Sequence, residues 1–290
     1  MANAVQSVRT TGVRATYGRI LYVASIYAVL IGFLVVFLFP LVWIFGLSLK
    51  TRLQTFASPP LFFWKPTLEN YAHVLSGSDF LAAFANSLIV TSGAVLLSLC
   101  AGVPTAYALA RFPFRGRSLL FFSLLIMRML PPIAVLVPMY VLFNTAGLVN
   151  TRSSVVLAYT TFSLPLVVWI MRGFFEELPM ELEESAWIDG ATRWQTFRWI
   201  VLPLVRPGLV AAAILSLVLA WNDFLFAAVL TNSATRTLPV LMATYSGGDT
   251  GIDWGSMTAS GMLVVLPVVV FSLFAQRHLI TGLSSGAVKG

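Results

Sequence analysis

Residues 176–207, EELPMELEESAWIDGATRWQTFRWIVLPLVRP, form a charged island between strongly apolar stretches. They hold Glu176, Glu177, Glu181, Glu183, Glu184, Asp189, Arg193, Arg198 and Arg206, a density that hydrocarbon would penalise by several kcal/mol in sum. The island therefore belongs in water or against protein, while its flanks read as lipid-buried. That contrast decides the fold class.

Apolar residues make up 58% of the 290 and charged residues only 10%, against roughly 25% charged in an ordinary soluble domain. A soluble fold could not hide so much apolar surface. A hydrocarbon core about 30 Å thick needs about 20 apolar residues per helix, and six runs approach or exceed that length. They fall in 20–49, 80–110, 118–143 with Arg128 inside, 153–171, 208–230 with Asp223 inside, and most of 254–276. Unbroken apolar character favours helices over barrel strands, which would alternate. The expected molecule is an all-α polytopic membrane protein. It has an amino-terminal segment over 1–19, six transmembrane helices within 20–278 and a tail over 279–290, with the island, 176–206, between helices four and five.

Lys and Arg set the orientation. With the amino terminus inside, the inner segments hold Arg9, Arg14, Arg19, Arg111, Arg115, Arg117, Arg172, Arg193, Arg198, Arg206, Arg277 and Lys289, against Lys50, Arg52, Lys65, Arg152 and Arg236 outside. The positive-inside rule then predicts that both termini and the island are cytoplasmic. The net charge of +7 reads as topology, because no basic cluster is interleaved with aromatics in the way a nucleic-acid surface requires. The first apolar run is about twice as long as the 7–15 residues of a cleaved signal, so it reads as a retained helix. Cys100 is the single cysteine, which excludes a disulfide framework and a thiolate cluster. His73 and His278 fall on opposite sides of the membrane in this topology, and no metal site is expected.

Within the island, Pro179 suits a first helical position, and Glu181, Glu183 and Glu184 sit near the positive helix end. Gly190 fits a stop. Thr192 and Gln195 have capping-box spacing, predicting a second helix that carries Trp194, Phe197 and Trp199 until Pro203 and Pro207 redirect the chain. On these residues alone the pair is equally an amphipathic hairpin on the lipid surface, anchored by Trp187, Trp194 and Trp199, or a protein-docking element.

Glu184-Ser185-Ala186, three residues, Gly190, nine residues, Ile200, one residue, Leu202-Pro203 resembles the EAA loop of permease subunits in binding-protein-dependent ABC importers. The spacing matches throughout, with Ser185 where the pattern has alanine. The resemblance implies a type I permease fold in which the segment around Glu181, Glu184, Ser185, Ala186, Asp189 and Gly190 is a coupling helix docked on a cytoplasmic ATPase. The tail from Gln276 to Gly290 and Trp221-Asn222-Asp223 resemble carbohydrate permeases of the maltose-importer type. That likeness implies a second homologous permease, two ATP-binding subunits and an extracytoplasmic sugar-binding protein. ATP and magnesium would be held by the partner ATPases and no cofactor by this chain, in the cytoplasmic membrane of a bacterium or archaeon. In that type the tail reaches between the ATPases, and the external loop over 232–254, with Gly247, Gly248 and Gly251, meets the binding protein.

Intramembrane charges are functional candidates by default, which singles out Arg128 and Asp223. The bland alternative pairs Arg128 with Asp223 or with helix carbonyls. Asn222 could bond a sugar hydroxyl, and Trp221 or Phe224 could stack on a pyranose face; aromatics this frequent in a membrane chain also serve plain packing. Pro131, Pro132 and Pro138 remove backbone donors and predict a bent third helix. Ala94, Ser98, Gly102, Ala106 and Ala110 recur every four residues as a ridge for close helix approach, facing either this chain or a partner. No Gly-x-x-x-x-Gly-Lys-Ser/Thr run occurs and no catalytic constellation is visible, so the chain reads as a pore subunit rather than an enzyme. The rival reading is an ion-coupled secondary transporter with Arg128 and Asp223 as relay. An importer permease for a non-sugar solute is a further alternative.

Overall fold

The computed structural model describes the backbone of residues 2–59, 61–246 and 252–286 and the side chains of 22–59, 61–77, 79–246 and 252–273. Gly247, Gly248, Gly251 and residues 287–290 lie outside the described residues, as do the side chains of the amino-terminal arginines and of the tail. Among the described residues all regular elements are helical. The chain opens with α1 (Ala2–Ser48), then short α2 (Arg52–Thr55) and α3 (Glu69–Ser76). Long α4 (Ser78–Arg111) leads to α5 (Arg117–Met129), α6 (Pro132–Thr145) and α7 (Arg152–Glu177). The island forms α8 (Glu181–Ile188), α9 (Arg193–Thr196), a π-turn over Phe197–Val201 and α10 (Leu202–Leu204). There follow α11 (Arg206–Trp221), α12 (Leu225–Leu230), α13 (Leu238–Thr244) and α14 (Trp254–Gly286).

Four stretches are single helices long and apolar enough to cross a bilayer: Tyr22–Ser48, Asp79–Arg111, Arg152–Glu177 and Trp254–Leu273. Two bent pairs, α5 with α6 at 101° and Arg193–Leu204 with α11 at 75°, bring the candidate crossings up to the expected six when each pair is counted as one span. The first bend falls at Leu130-Pro131, where proline cannot donate to the preceding turn. The fifth crossing departs from a continuous helix over 208–230. α11 ends at Trp221, residues 222–224 break it, and α12 resumes. Backbone helix also continues to Gly286 through most of the tail.

The small-residue ridge on α4 packs inside the chain, against α7. Ala94, Ser98 and Ala106 are fully buried, and a Cβ on Gly102 would stand 2.8 Å from Val167 Cγ1. Lacking one, the two backbones approach closely. Below this seam lies the main core: Tyr107, Leu109, Val167, Met171 and Phe175 meet Phe197, Val201 and Val205 from the island. At the opposite end, buried Asn86 donates from Nδ2 to Ala234 and Arg236 carbonyls, 3.0 Å each, and accepts from Arg152 Nε at 2.7 Å. This polar bracket ties the segment before α13 to α4 and α7. By contrast α1 leaves Phe33, Val36 and Phe37 at least 60% exposed, a lipid-facing pattern in a membrane chain.

Candidate functional site

The acidic start of α8 is not uniform. Glu181 and Glu184 are exposed, but Glu183 is 1% exposed. Its carboxylate accepts from Tyr107 Oη at 2.5 Å and from Arg111 Nε at 2.6 Å, while Arg111 Nη2 donates to the Leu178 carbonyl at 2.9 Å. A buried carboxylate needs such charge-assisted bonds to offset desolvation. One arginine at the end of α4 thereby holds both the end of α7 and the first turn of α8. Sequence reasoning counted Glu183 only among the helix-end acids. Its partners lie 72 and 76 residues away, beyond any local pattern.

Pro179 precedes α8 instead of opening it, since Glu181 is the first helical residue and Met180 the cap. The stop is as expected. Gly190 has φ +89°, and the amides of Gly190 and Ala191 donate to the Trp187 and Ala186 carbonyls at 3.1 and 2.9 Å, a complete Schellman arrangement. Ser185 turns its hydroxyl back to the Glu181 carbonyl at 2.8 Å, so it adds no outward polar group where alanine is the pattern. Ala186 is buried against the bundle, whereas Asp189 and Ile188 point outward, Ile188 at 86% exposure.

Thr192 and Gln195 form the capping box as the spacing predicts. The helix it starts is four residues long and widens at once into the π-turn, which contains Ile200 and ends just before Leu202-Pro203. Phe197 from this turn packs against Tyr107 with the rings tilted and their centroids 4.8 Å apart, and Arg193 lies over both Trp187 at 5.0 Å and Phe112 at 5.3 Å. The loop is therefore locked at its root and open at its tip. Trp194 and Trp199 are 64% and 70% exposed.

The intramembrane candidates separate. Arg128 and Asp223 line one cleft of about 280 Å³ with Tyr159, Phe162 and Ser163. Arg128 Nη1 donates to the Phe162 carbonyl at 2.9 Å and makes no ion pair with Asp223. Asp223 Oδ1 accepts from the Phe226 amide in the first turn of α12 at 3.1 Å, and its carbonyl accepts from Tyr159 Oη at 3.1 Å. Asn222 is exposed and donates to Val218 at 2.7 Å. Trp221 is placed elsewhere: 2% exposed and edge-on to Phe84, it packs with Phe80, Leu238 and Leu241 inside the chain. It has no access to the cleft. Among the described residues no group of three or more His, Cys, Asp or Glu is placed to hold a metal ion.

Known proteins resemble this chain along most of its length. The chain is 39% identical over 255 residues to the trehalose transport system permease protein SugB of Mycobacterium tuberculosis, covering 87% of this chain and 93% of that one. It is 36% identical over 259 residues to the trehalose/maltose transport system permease protein MalG of Thermococcus litoralis, covering 88% and 93%. A solved bacterial ABC transporter chain involved in import of the acidic polysaccharide alginate superposes with TM-score 0.76 at 24% identity over 87% of this chain and 94% of that one, which speaks for the fold. Residues 98–285 match the model of the binding-protein-dependent transport system inner membrane component. A membrane-embedded helical bundle that carries this match is a pore-forming permease without catalytic chemistry of its own, and the chain belongs to that family.

Proposed function

We propose that this chain is one permease subunit of an ATP-driven carbohydrate importer, and that α8 is the handle through which separate ATPase subunits work it. The observation that carries the reading is the contrast on α8. Glu183 is sealed into the bundle by Tyr107 and Arg111, while Glu181, Glu184 and Ile188 on the same two turns face outward. A helix anchored at its root and bare at its tip transmits a push to α4 and α7 rather than folding away from it.

In this reading Glu181, Glu184, Ser185, Asp189 and Gly190 make the ATPase-coupling surface, with buried Ala186 seating the helix on the bundle, and that surface lies on the cytoplasmic side with both termini. ATP and magnesium are bound by the two partner ATPases. A second homologous permease completes the pathway, and an extracytoplasmic binding protein delivers the solute. Carbohydrate is the favoured cargo because the trehalose and maltose permeases are so similar along nearly their whole length. The cleft of Arg128, Tyr159, Phe162, Ser163 and Asp223 suits it chemically, offering hydrogen-bonding groups for hydroxyls beside an aromatic wall for C–H faces. Family membership disfavours a lone ion-coupled transporter.

The test is reconstitution of the chain with its ATPase, companion permease and binding-protein partners, followed by uptake of labelled disaccharides and amino acids. Glu184→Arg is expected to abolish disaccharide uptake while ATP hydrolysis continues. Unchanged uptake in that variant, or uptake of amino acids in preference to sugars, overturns the coupling and the substrate assignments respectively.

A further inference from the structure

On the face of the bundle that carries α8, most arginines are spoken for. Arg111 pairs with Glu183, and Arg117 and Arg172 both reach Glu176, while Arg193 is sandwiched near Trp187 and Phe112. Arg198 and Arg206 differ: both are exposed and neither meets a carboxylate among the described residues. They line one groove of about 300 Å³ whose other walls are Trp199, Leu202, Pro203 and Leu209. Two positive charges and no acid face this space.

Its location is as telling as its charge. The groove lies at the 75° elbow between the charged island limb and apolar α11, so the boundary between charged and apolar sequence, where a crossing helix is expected to meet the headgroup layer, runs through it. Trp199, 70% exposed, carries the Arg198 guanidinium 5.6 Å from its ring, the pairing of amphipathic aromatic and cation found at membrane interfaces. Down α11 from Arg206, helical spacing puts Val210, Ala213 and Leu217 on the same side, and all three are half-buried. A basic mouth thus opens onto an apolar track.

We infer that this groove binds the phosphate of an anionic phospholipid, gripped by Arg198 and Arg206, with its acyl chains lying along Leu209 and the Val210, Ala213 and Leu217 track. Guanidinium forks match phosphate oxygens in geometry and charge. The apolar walls select a lipid over free phosphate, and the position at the bilayer boundary selects a lipid over an acidic protein segment. This assignment is independent of the coupling role of α8, because it concerns the elbow and not the tip of the loop.

The experiment uses the assembled importer in phosphatidylcholine nanodiscs with and without phosphatidylglycerol, then delipidation and mass-spectrometric counting of retained lipid. Wild type is expected to retain phosphatidylglycerol over phosphatidylcholine. Each arginine near the surface is worth roughly fivefold in affinity, so Arg198→Gln with Arg206→Gln should lower retention about 20-fold or more. The Arg198→Lys, Arg206→Lys pair should keep most of it, which guards against simple misfolding. Arg115→Gln, an exposed arginine on the same face outside the groove, should change nothing. Retention unchanged in the double glutamine variant, or lowered equally by Arg115→Gln, overturns the site. Displacement by inorganic phosphate alone assigns a free-anion site instead, and lipid retained by the permease pair purified without its ATPases but absent from the assembled importer assigns a protein interface; either result overturns the lipid assignment.

Discussion

Replacing Glu183 by alanine removes the acceptor of two bonds, one from a buried tyrosine and one from an arginine whose side chain is 9% exposed. Breaking one side of a buried pair costs about 3–5 kcal/mol, because the surviving charge stays desolvated. Arg111 keeps its bond to the Leu178 carbonyl, so α7 should hold and the loss should concentrate on α8. If α8 opens locally, each 1.4 kcal/mol is a tenfold change in the open population. Amide exchange across 181–188 should then speed up by about two to three orders of magnitude, with α4 and α7 little changed. Hydrogen–deuterium exchange with mass spectrometry on the assembled importer reads this directly, and uptake per ATP hydrolysed should fall in parallel. The control is Arg111→Met with Glu183→Leu, which removes both charges and is expected to restore most of the protection, a coupling of roughly 2 kcal/mol or more. Equal exchange in wild type and Glu183→Ala would refute the reasoning. So would a double variant as fast as the single.

Gly190 is required for its positive φ and not for space, since a Cβ there would meet nothing within 4 Å. Gly190→Asn, which tolerates the left-handed region, should retain transport, whereas Gly190→Val should lose about 1–2 kcal/mol at the end of α8 and most of its uptake; failure of both variants would point to a partner contact instead. At the seam between α4 and α7, Gly102→Leu should destabilise the chain by about 1–3 kcal/mol through overpacking and lower its melting temperature, and Val167→Ala in the same chain should relieve much of that loss.

Most local chemistry that depends on neighbours along the chain was legible in the sequence, although Pro179 precedes α8 instead of opening it. Apolar run lengths gave the crossings, Thr192 and Gln195 gave a helix start, Gly190 gave a stop, and the four-residue spacing of Ala94 to Ala106 gave a seam. Distant partners were not legible. The burial of Glu183 depends on Tyr107 and Arg111, and the removal of Trp221 from the cleft depends on Phe84, Leu238 and Leu241. Pro131 and Pro132 announced a bend, but its 101° is set by how α5 packs on α7 and α6 near α12. The π-turn had no signature because it brings Phe197 and Val201 into the core at the foot of α4 and α7, which is assembled from distant residues. Arg128 and Asp223 stood out as costly charges, yet only tertiary geometry reveals that each bonds to backbone.

That wider turn over Phe197–Val201 has a bearing on how the loop tolerates changes in length. A π-turn accommodates one residue more than an α-turn, and each residue in a helix advances the azimuth by about 100°. Deleting a single residue there removes that extra residue and leaves ordinary α geometry, whereas a deletion in a neighbouring α-helical turn, with no surplus to absorb it, would swing everything upstream by about that angle relative to α11. The spacing from Gly190 to Pro203 acts, on this view, as a rotational index, and insertions or deletions inside it but outside the π-turn should be far more damaging than substitutions.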